Sequence, residues 1–313
     1  MNRIAASSLT PEHGWLALAT CLGIAACLQP DLLYVLALAL FGLPHVLWEM
    51  GWVGRVWFRA VPRVFWLALG GALGLQGWAR LSVWSGRIDA PTAATLDLMT
   101  LALALLAVLV LAGRVRDWRG RAVLALAAAL AVFVYRIAGT PLVLAVLSVL
   151  AIAHNFTPVG LVPRGARLGR WPARPVFVAL FAAPVLLFAA RWALHSSLAA
   201  PAAPRPGEWI WADAMSRQLA AALLPALVWS QCLHYLAVIV LVPRALGGAW
   251  PGLPARALAL AASAGLAMFF MVDFASARGL YAVASGMHAW LEWPLILLVA
   301  AGMAPAPPRP DPV

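Results

Sequence analysis

Residues 31–55 read DLLYVLALALFGLPHVLWEMGWVGR. A helix of about 1.5 Å rise per residue over this run crosses the roughly 30 Å hydrocarbon core of a bilayer. Yet the run carries His45 and, one helical turn later, Glu49. An ionisable side chain in mid-helix costs about 2.5–3.5 kcal/mol on membrane-insertion scales, and membrane proteins keep one where it has a task. The fold therefore turns on whether this segment is one span among many.

The composition says that it is. The chain has 313 residues, is 64% hydrophobic and only 11% charged, far too little charge to cover a soluble protein of this size. Apolar segments recur at 14–29, 31–54, 61–79, 92–113, 122–139, 141–160, 175–194, 215–242, 257–275 and 281–301, which predicts an all-α, polytopic transmembrane bundle of about ten spans. The short N-terminus lacks an A-x-A cleavage site after the first apolar run, so that run reads as a retained span. Residues 1–303 read as a single transmembrane domain, and the proline-rich 304–313 as a disordered tail. GTP at 139–141 reads as the turn between the fifth and sixth helices.

All 22 basic residues are arginine, giving a net charge of +11. They lie in short loops, so they read as topology signals and contacts for anionic headgroups, with no nucleic-acid partner. With the N-terminus inside, the inner side collects Arg3, Arg55, Arg59, Arg63, Arg114, Arg116, Arg119, Arg121, Arg164, Arg167, Arg170, Arg174, Arg244, Arg256 and Arg309. That is 15 against 7 outside, as the positive-inside rule requires, with both termini cytoplasmic and the chain in a bacterial inner membrane. The longest loop, 195–217, then lies outside, its EWIWAD stretch suited to the headgroup zone. Cys21, Cys27 and Cys232 sit in apolar runs without CxxC spacing and read as packing residues.

Four of the six histidines are the centre of interest. His45, His154, His234 and His288 fall on the second, sixth, eighth and tenth spans, all of which run in one direction. HNFTPVGLVPR from His154 and HYLAVIVLVPR from His234 both read H-x6-LVPR, and His45 also stands ten residues before an arginine. Ten residues is about 15 Å, which puts these histidines near the bilayer midplane. A second pattern crosses the first: HVLWE and HAWLE are both H-x3-E, setting Glu49 and Glu292 one turn from their histidines. One buried histidine is an ordinary helix–helix hydrogen bond. Four at a shared depth, two with acidic partners, point to a metal or haem site. Glu49 and Glu292 suit the role of holding a ligand's other N–H, or of direct ligands if two metals bind. Asn155, Gln231 and Tyr235 adjoin the histidines in sequence, and Tyr235 joins the glutamates as a candidate catalytic residue. Trp48, Trp290, Trp293 and Phe156 are candidates to line an apolar channel. Pro44, Pro158, Pro225 and Pro294 promise kinks, although no broken-helix pair with an acidic lining stands out. Asp97 and Asp273 read as interfacial. His13 and His195 lie at span ends and have no assigned role.

GLPH with an acid four residues on (His45, Glu49), together with GMHAWLEW at 286–293, resembles the motifs of the Brp/Blh family of bacterial and archaeal membrane β-carotene dioxygenases. Val46 and Glu49 stand where that family usually has glycine and aspartate. The resemblance implies Fe(II), O2 and a bilayer-dissolved carotenoid cleaved at its central double bond to retinal. Four neutral imidazoles would leave iron its 2+ charge and up to two open positions. The resemblance also makes Glu49 the more sensitive of the two glutamates. Two readings stay open beside it: an electron-transfer protein with haem b or a quinol partner, and a transporter with a polar intramembrane pocket. The oligomeric state is not legible.

Overall fold

The structure is a computed structural model that describes residues 11–58, 61–111, 115, 117–137, 149–162, 165–195, 217–245 and 253–303. The turn at 139–141, the loop at 196–216 with its EWIWAD stretch and the tail at 304–313 lie outside these residues. The elements are α1 (Pro11–Leu28), α2 (Pro30–Trp57), α3 (Arg63–Trp84), α4 (Ala90–Val110), α5 (Trp118–Ile137), α6 (149–154) and α7 (Thr157–Leu161). A two-stranded antiparallel ribbon follows, β1 (Arg167–Leu168) and β2 (Trp171–Pro172), then α8 (Ala173–His195) and α9 (Arg217–Leu236). A π-helical turn at Ala237–Leu241 leads into α10 (Val242–Ala245), and α11 (Leu253–Val272) and α12 (Phe274–Ala300) complete the fold.

Among the described residues the architecture is all-α apart from that ribbon, and five stretches are long and apolar enough to cross a membrane: Pro30–Gly54, Pro91–Leu109, Ala173–Leu194, Ala221–Ala245 and Phe274–Ala300. Gly14–Leu28 and Arg256–Val272 are apolar but shorter. Helices α3 and α5 form where spans are expected, with Arg63, Gln76 and Arg80 in one and Arg119, Arg121 and Arg136 in the other diluting their apolar character.

Beside an apolar core, large aliphatic side chains are exposed and several ionisable ones are buried. Leu28, Leu67, Leu126, Leu186, Leu258 and Met271 are 68–88% exposed, while His45, Glu49, Gln76, Asp97, His234 and Glu292 are at most 1% exposed. Aliphatic surface outside and ionisable groups inside is what a bilayer as solvent selects.

The chain divides into two compact units. One comprises Met1–Val35 and Arg164–Leu233, the other Leu36–Pro163 and His234–Val313. In the first, the Trp229 indole lies against α1, its Nε1–H donating to the Ala19 carbonyl at 2.9 Å, and the ribbon packs on α8. Gly169, first in the two-residue turn of the ribbon, has φ +57°, the left-handed conformation that a type II′ hairpin turn asks of glycine.

The second unit is organised around α12, which packs on α3, α4, α5, α7 and α11. Its small residues allow this. A Cβ on Gly286 would fall 2.3 Å from Gln76 Nε2, and one on Gly279 would fall 2.6 Å from the Trp84 ring, so α3 and α12 approach at glycine–side chain contacts. Trp84 Nε1–H also donates to the Ser276 carbonyl at 3.0 Å. Asp89 and Asp273 cap α4 and α12, accepting from the Thr92 and Ser276 amides, and those bonds hold both carboxyls below the usual range.

Two sequence expectations need correcting here. Asp97, read as interfacial, does not face outward. It is wholly buried in α4 and paired with Arg80, which belongs to α3 and not to a loop. Nor is the sixth span one helix through residue 160: α6 stops at His154, and α7 starts at Thr157. The cause is Pro158, which has no N–H to give the His154 carbonyl and whose ring clashes with it. Cys232 is buried as expected, whereas Cys21 and Cys27 lie on exposed faces.

Candidate metal centre

Each site histidine lies on a segment that contains proline, and at His154 the helix is broken. Pro44 immediately precedes His45 in α2 and gives no N–H to Leu40. His154 is the last residue of α6 because of Pro158. The orphaned His154 carbonyl lies 2.7 Å from the Thr157 hydroxyl, which also contacts the Glu292 carboxylate; its single proton serves one of the two at a time. His234 is in the last turn of α9, just before the π turn. There the Val242 amide reaches back five residues to Ala237, while Pro243 gives no N–H to Ile239. His288 lies mid-way along α12, six residues before Pro294. The kink expected at Pro158 is a full break at residues 155–156, and the π turn is a discontinuity that the sequence did not announce.

These four positions converge. One ligand nitrogen from each of His45, His154, His234 and His288 lies within 4.8 Å of the other three, and all four side chains are buried. Ring centroids are 4.5 Å apart for His154–His234, 4.6 Å for His154–His288 and 4.7 Å for His45–His288. His45–His234 and His234–His288 are at 5.2 and 6.2 Å. The rings pack tilted or edge to face.

The tautomer of His45 is set by its surroundings. Its Nδ1–H donates to the Phe41 carbonyl at 3.1 Å, one turn back in α2, so a neutral ring turns a lone pair outward at Nε2. That atom lies 3.0 Å from His288 Nε2. Two imine nitrogens at this range need a proton or a cation between them. For metal–nitrogen bonds of about 2.1 Å at right angles, neighbouring nitrogens are about 3 Å apart, so the spacing suits one edge of a coordination polyhedron. Neither nitrogen of His234, nor Nδ1 of His288, makes a hydrogen bond of good geometry. Buried imidazoles normally find partners, and nitrogens left over at the centre of such a group are what a metal site presents.

Glu49 and Glu292 are both 0% exposed. Each approaches a histidine of a different helix from its own. Glu292 Oε2 is 2.6 Å from His154 Nδ1, and Glu49 Oε2 is 3.9 Å from His288 Nε2. The two carboxylates and His234 form a second group with ligand atoms within 4.8 Å of one another. All six residues belong to the second unit.

Tyr235 lies against this group. Its ring centroid is 4.2 Å from that of His45, with planes 30° apart, and its hydroxyl is 3.5 Å from that of Tyr281. Tyr281 packs over Gly42, where a Cβ would come within 3.1 Å of the ring. Trp48 and Trp290 are buried, Phe156 and Trp293 half-buried. Gln231 belongs to the first unit. The side chains of His13 and His195 are outside the described set.

Thr157, Tyr281 and the Phe41 carbonyl were not singled out from sequence. Only Thr157 had a readable signal: proline four residues after His154 orphans a carbonyl that a nearby hydroxyl can take up.

No protein-family model, curated protein or solved structure matches the chain, and the reading rests on the chemistry of the site itself: a buried group of four imidazoles and two carboxylates that could hold a metal ion.

Proposed function

We propose that this chain is a polytopic membrane oxygenase whose four histidines hold one divalent iron and whose substrate is an apolar molecule dissolved in the bilayer. The observation that carries this reading is the convergence of His45, His154, His234 and His288 on one buried point. Charge supports it. With both glutamates ionised and four imidazoles neutral the group would carry −2, which one divalent ion would balance.

Iron, when bound, would supply the one-electron chemistry that O2 needs to react with a hydrocarbon. The chain's own residues do the rest. Phe41 O holds His45 with Nε2 inward, the Glu292 carboxylate lies 2.6 Å from His154 Nδ1 with the Thr157 hydroxyl beside it, and burial of all these groups keeps water away. Resemblance to the Brp/Blh motifs makes a carotenoid, cleaved to retinal, the preferred substrate. All ten helical segments cross the membrane in this reading, with both termini cytoplasmic by the arginine distribution, in a bacterial inner membrane.

Haem b is the weaker alternative, because four imidazoles grouped at one buried point suit a single ion better than a porphyrin held between one ligand pair. The test is elemental analysis and an absorption spectrum of protein purified under reducing, anaerobic conditions, followed by aerobic incubation with β-carotene. About one iron per chain, no Soret band and retinal among the products are expected. A Soret band would replace this reading with the haem one, and absence of any bound metal would remove it.

A further inference from the structure

The first unit carries a feature unrelated to the histidines. An open groove of about 510 Å3 runs between α1 and α8, within the size range of ligand sites. Leu16, Ala19, Trp171, Val176, Ala179 and Trp229 are among the residues that line it. Small side chains make the space: Ala179 and Ala183, one turn apart on α8, and Ala19 on α1 all line the groove. Almost nothing polar is on offer inside. The Thr20 hydroxyl is spent on the Leu16 carbonyl at 2.9 Å, and the Trp229 N–H on that of Ala19. Such a groove recognises a hydrocarbon chain.

Its extent and its end identify which kind. Along α8 the lining runs from Pro175 to Ala183, about 12 Å at 1.5 Å per residue, close to the depth of one leaflet's hydrocarbon. At the Pro175 end the wall is the β1–β2 ribbon, and there the chemistry changes abruptly. Arg167, Arg170 and Arg174 are all exposed within eight residues, and no acidic residue occurs between Arg164 and His195. The Arg167 guanidinium donates to the Arg170 carbonyl, and that of Arg170 lies 6.0 Å from the ring of Trp171, itself a lining residue. An indole at the mouth of an apolar groove beside clustered guanidiniums matches the amphipathic boundary of a leaflet, where phosphate takes forked arginine contacts.

We propose that this groove is a binding site for one phospholipid with an anionic headgroup, an acyl chain lying along α8 and the headgroup phosphate held by Arg170 and Arg174 at the ribbon. The proposal rests on the chain lying in a bilayer and is independent of the metal centre. The ribbon then has a purpose: its glycine turn sets Trp171 as the wall between chain and headgroup.

Native mass spectrometry of the full chain, delipidated and titrated with phosphatidylglycerol or phosphatidylcholine, tests it. One phosphatidylglycerol should be retained at roughly tenfold or greater preference, in line with the attraction of clustered arginines for anionic lipid. In R170Q/R174Q the preference should fall to near parity while some lipid binding persists. Ala179→Trp, which fills the groove, should lose the retained lipid of either kind, with Ala179→Leu as the milder version should the tryptophan impair folding. Bound metal should be unchanged in all three variants, which checks their integrity. Equal retention of the two lipids by the unaltered chain, or a preference surviving either R170Q/R174Q or groove filling, would overturn the proposal.

Discussion

Glu292 does not serve the histidine one turn before it on its own helix; its Oε2 lies 2.6 Å from Nδ1 of His154, while Glu49 approaches His288 at 3.9 Å. The H-x3-E repeats are thus crossed. Each supplies a carboxylate to a histidine of a different helix, so two sequence-local motifs tie α2 and α12 to each other and to the 149–161 segment. Crossing also changes which residue matters more. Resemblance ranks Glu49 first, but the closer contact belongs to Glu292, which is held as well by Thr157.

Glu292→Gln should therefore lower metal affinity by about 10–100-fold, the usual range for loss of a group that orients a ligand, and Glu49→Gln should lower it less. Equilibrium dialysis against a competing chelator measures both. If instead each substitution removes about one metal equivalent from a protein that binds two, the glutamates are ligands of a second ion, grouped with His234 as their geometry allows.

Replacing any one of His45, His154, His234 and His288 with alanine should strip most bound metal, whereas the same change at His13 or His195 should leave it intact. Inductively coupled plasma measurement on purified variants decides this. Full metal content in the His154 variant would reduce the centre to three ligands.

Much of this was legible in the sequence because the constraint is one-dimensional. Ionisable residues inside apolar runs are rare, and counting from flanking arginines gives their depth, so the four histidines could be grouped before any fold was known. Depth does not give azimuth. That is why spacing alone could not say which imidazole each glutamate meets, and why Asp97, near a predicted helix end, was read as interfacial when it is turned inward onto Arg80. The break after His154 was legible only as a kink promised by Pro158. The two H-x6-LVPR stretches match in spacing but not in conformation: one has proline four residues after its histidine and the other has Val238 there. A single N–H decides between a helix broken at its histidine and one that runs on into a π turn.

Thr157→Val keeps the shape of the side chain and removes its proton. It should leave a buried acceptor unsatisfied and destabilise the protein by about 1–3 kcal/mol, with weaker metal binding because Glu292 loses a contact. Thr157→Ser should retain both properties. A thermal melt in detergent with and without added metal reads both effects; a valine variant that matches the unaltered chain in both would show that the hydroxyl is incidental.

At the close approach of α3 and α12, Gly286→Ala places a methyl where the Gln76 amide now sits. Overpacking should cost about 1–3 kcal/mol, and Gln76→Ala in the same chain should recover a good part of it by clearing the space. Additive losses in the double variant would mean that the two residues do not meet.

The pair of Arg80 and Asp97 makes an asymmetric prediction. The arginine side chain is 34% exposed and the aspartate 0%. Removing Asp97 leaves a guanidinium that can still turn towards water or headgroups, whereas removing Arg80 strands a carboxylate in the interior. Breaking a buried pair from its worse side costs about 3–5 kcal/mol. Arg80→Ala should therefore approach that figure, Asp97→Ala should cost clearly less, and the double variant should be more stable than Arg80→Ala alone. Denaturation of the three variants in the same detergent tests the order. Equal losses for the two single changes would mean that Asp97 has access to solvent or to another partner, and its burial in α4 would have to be revised.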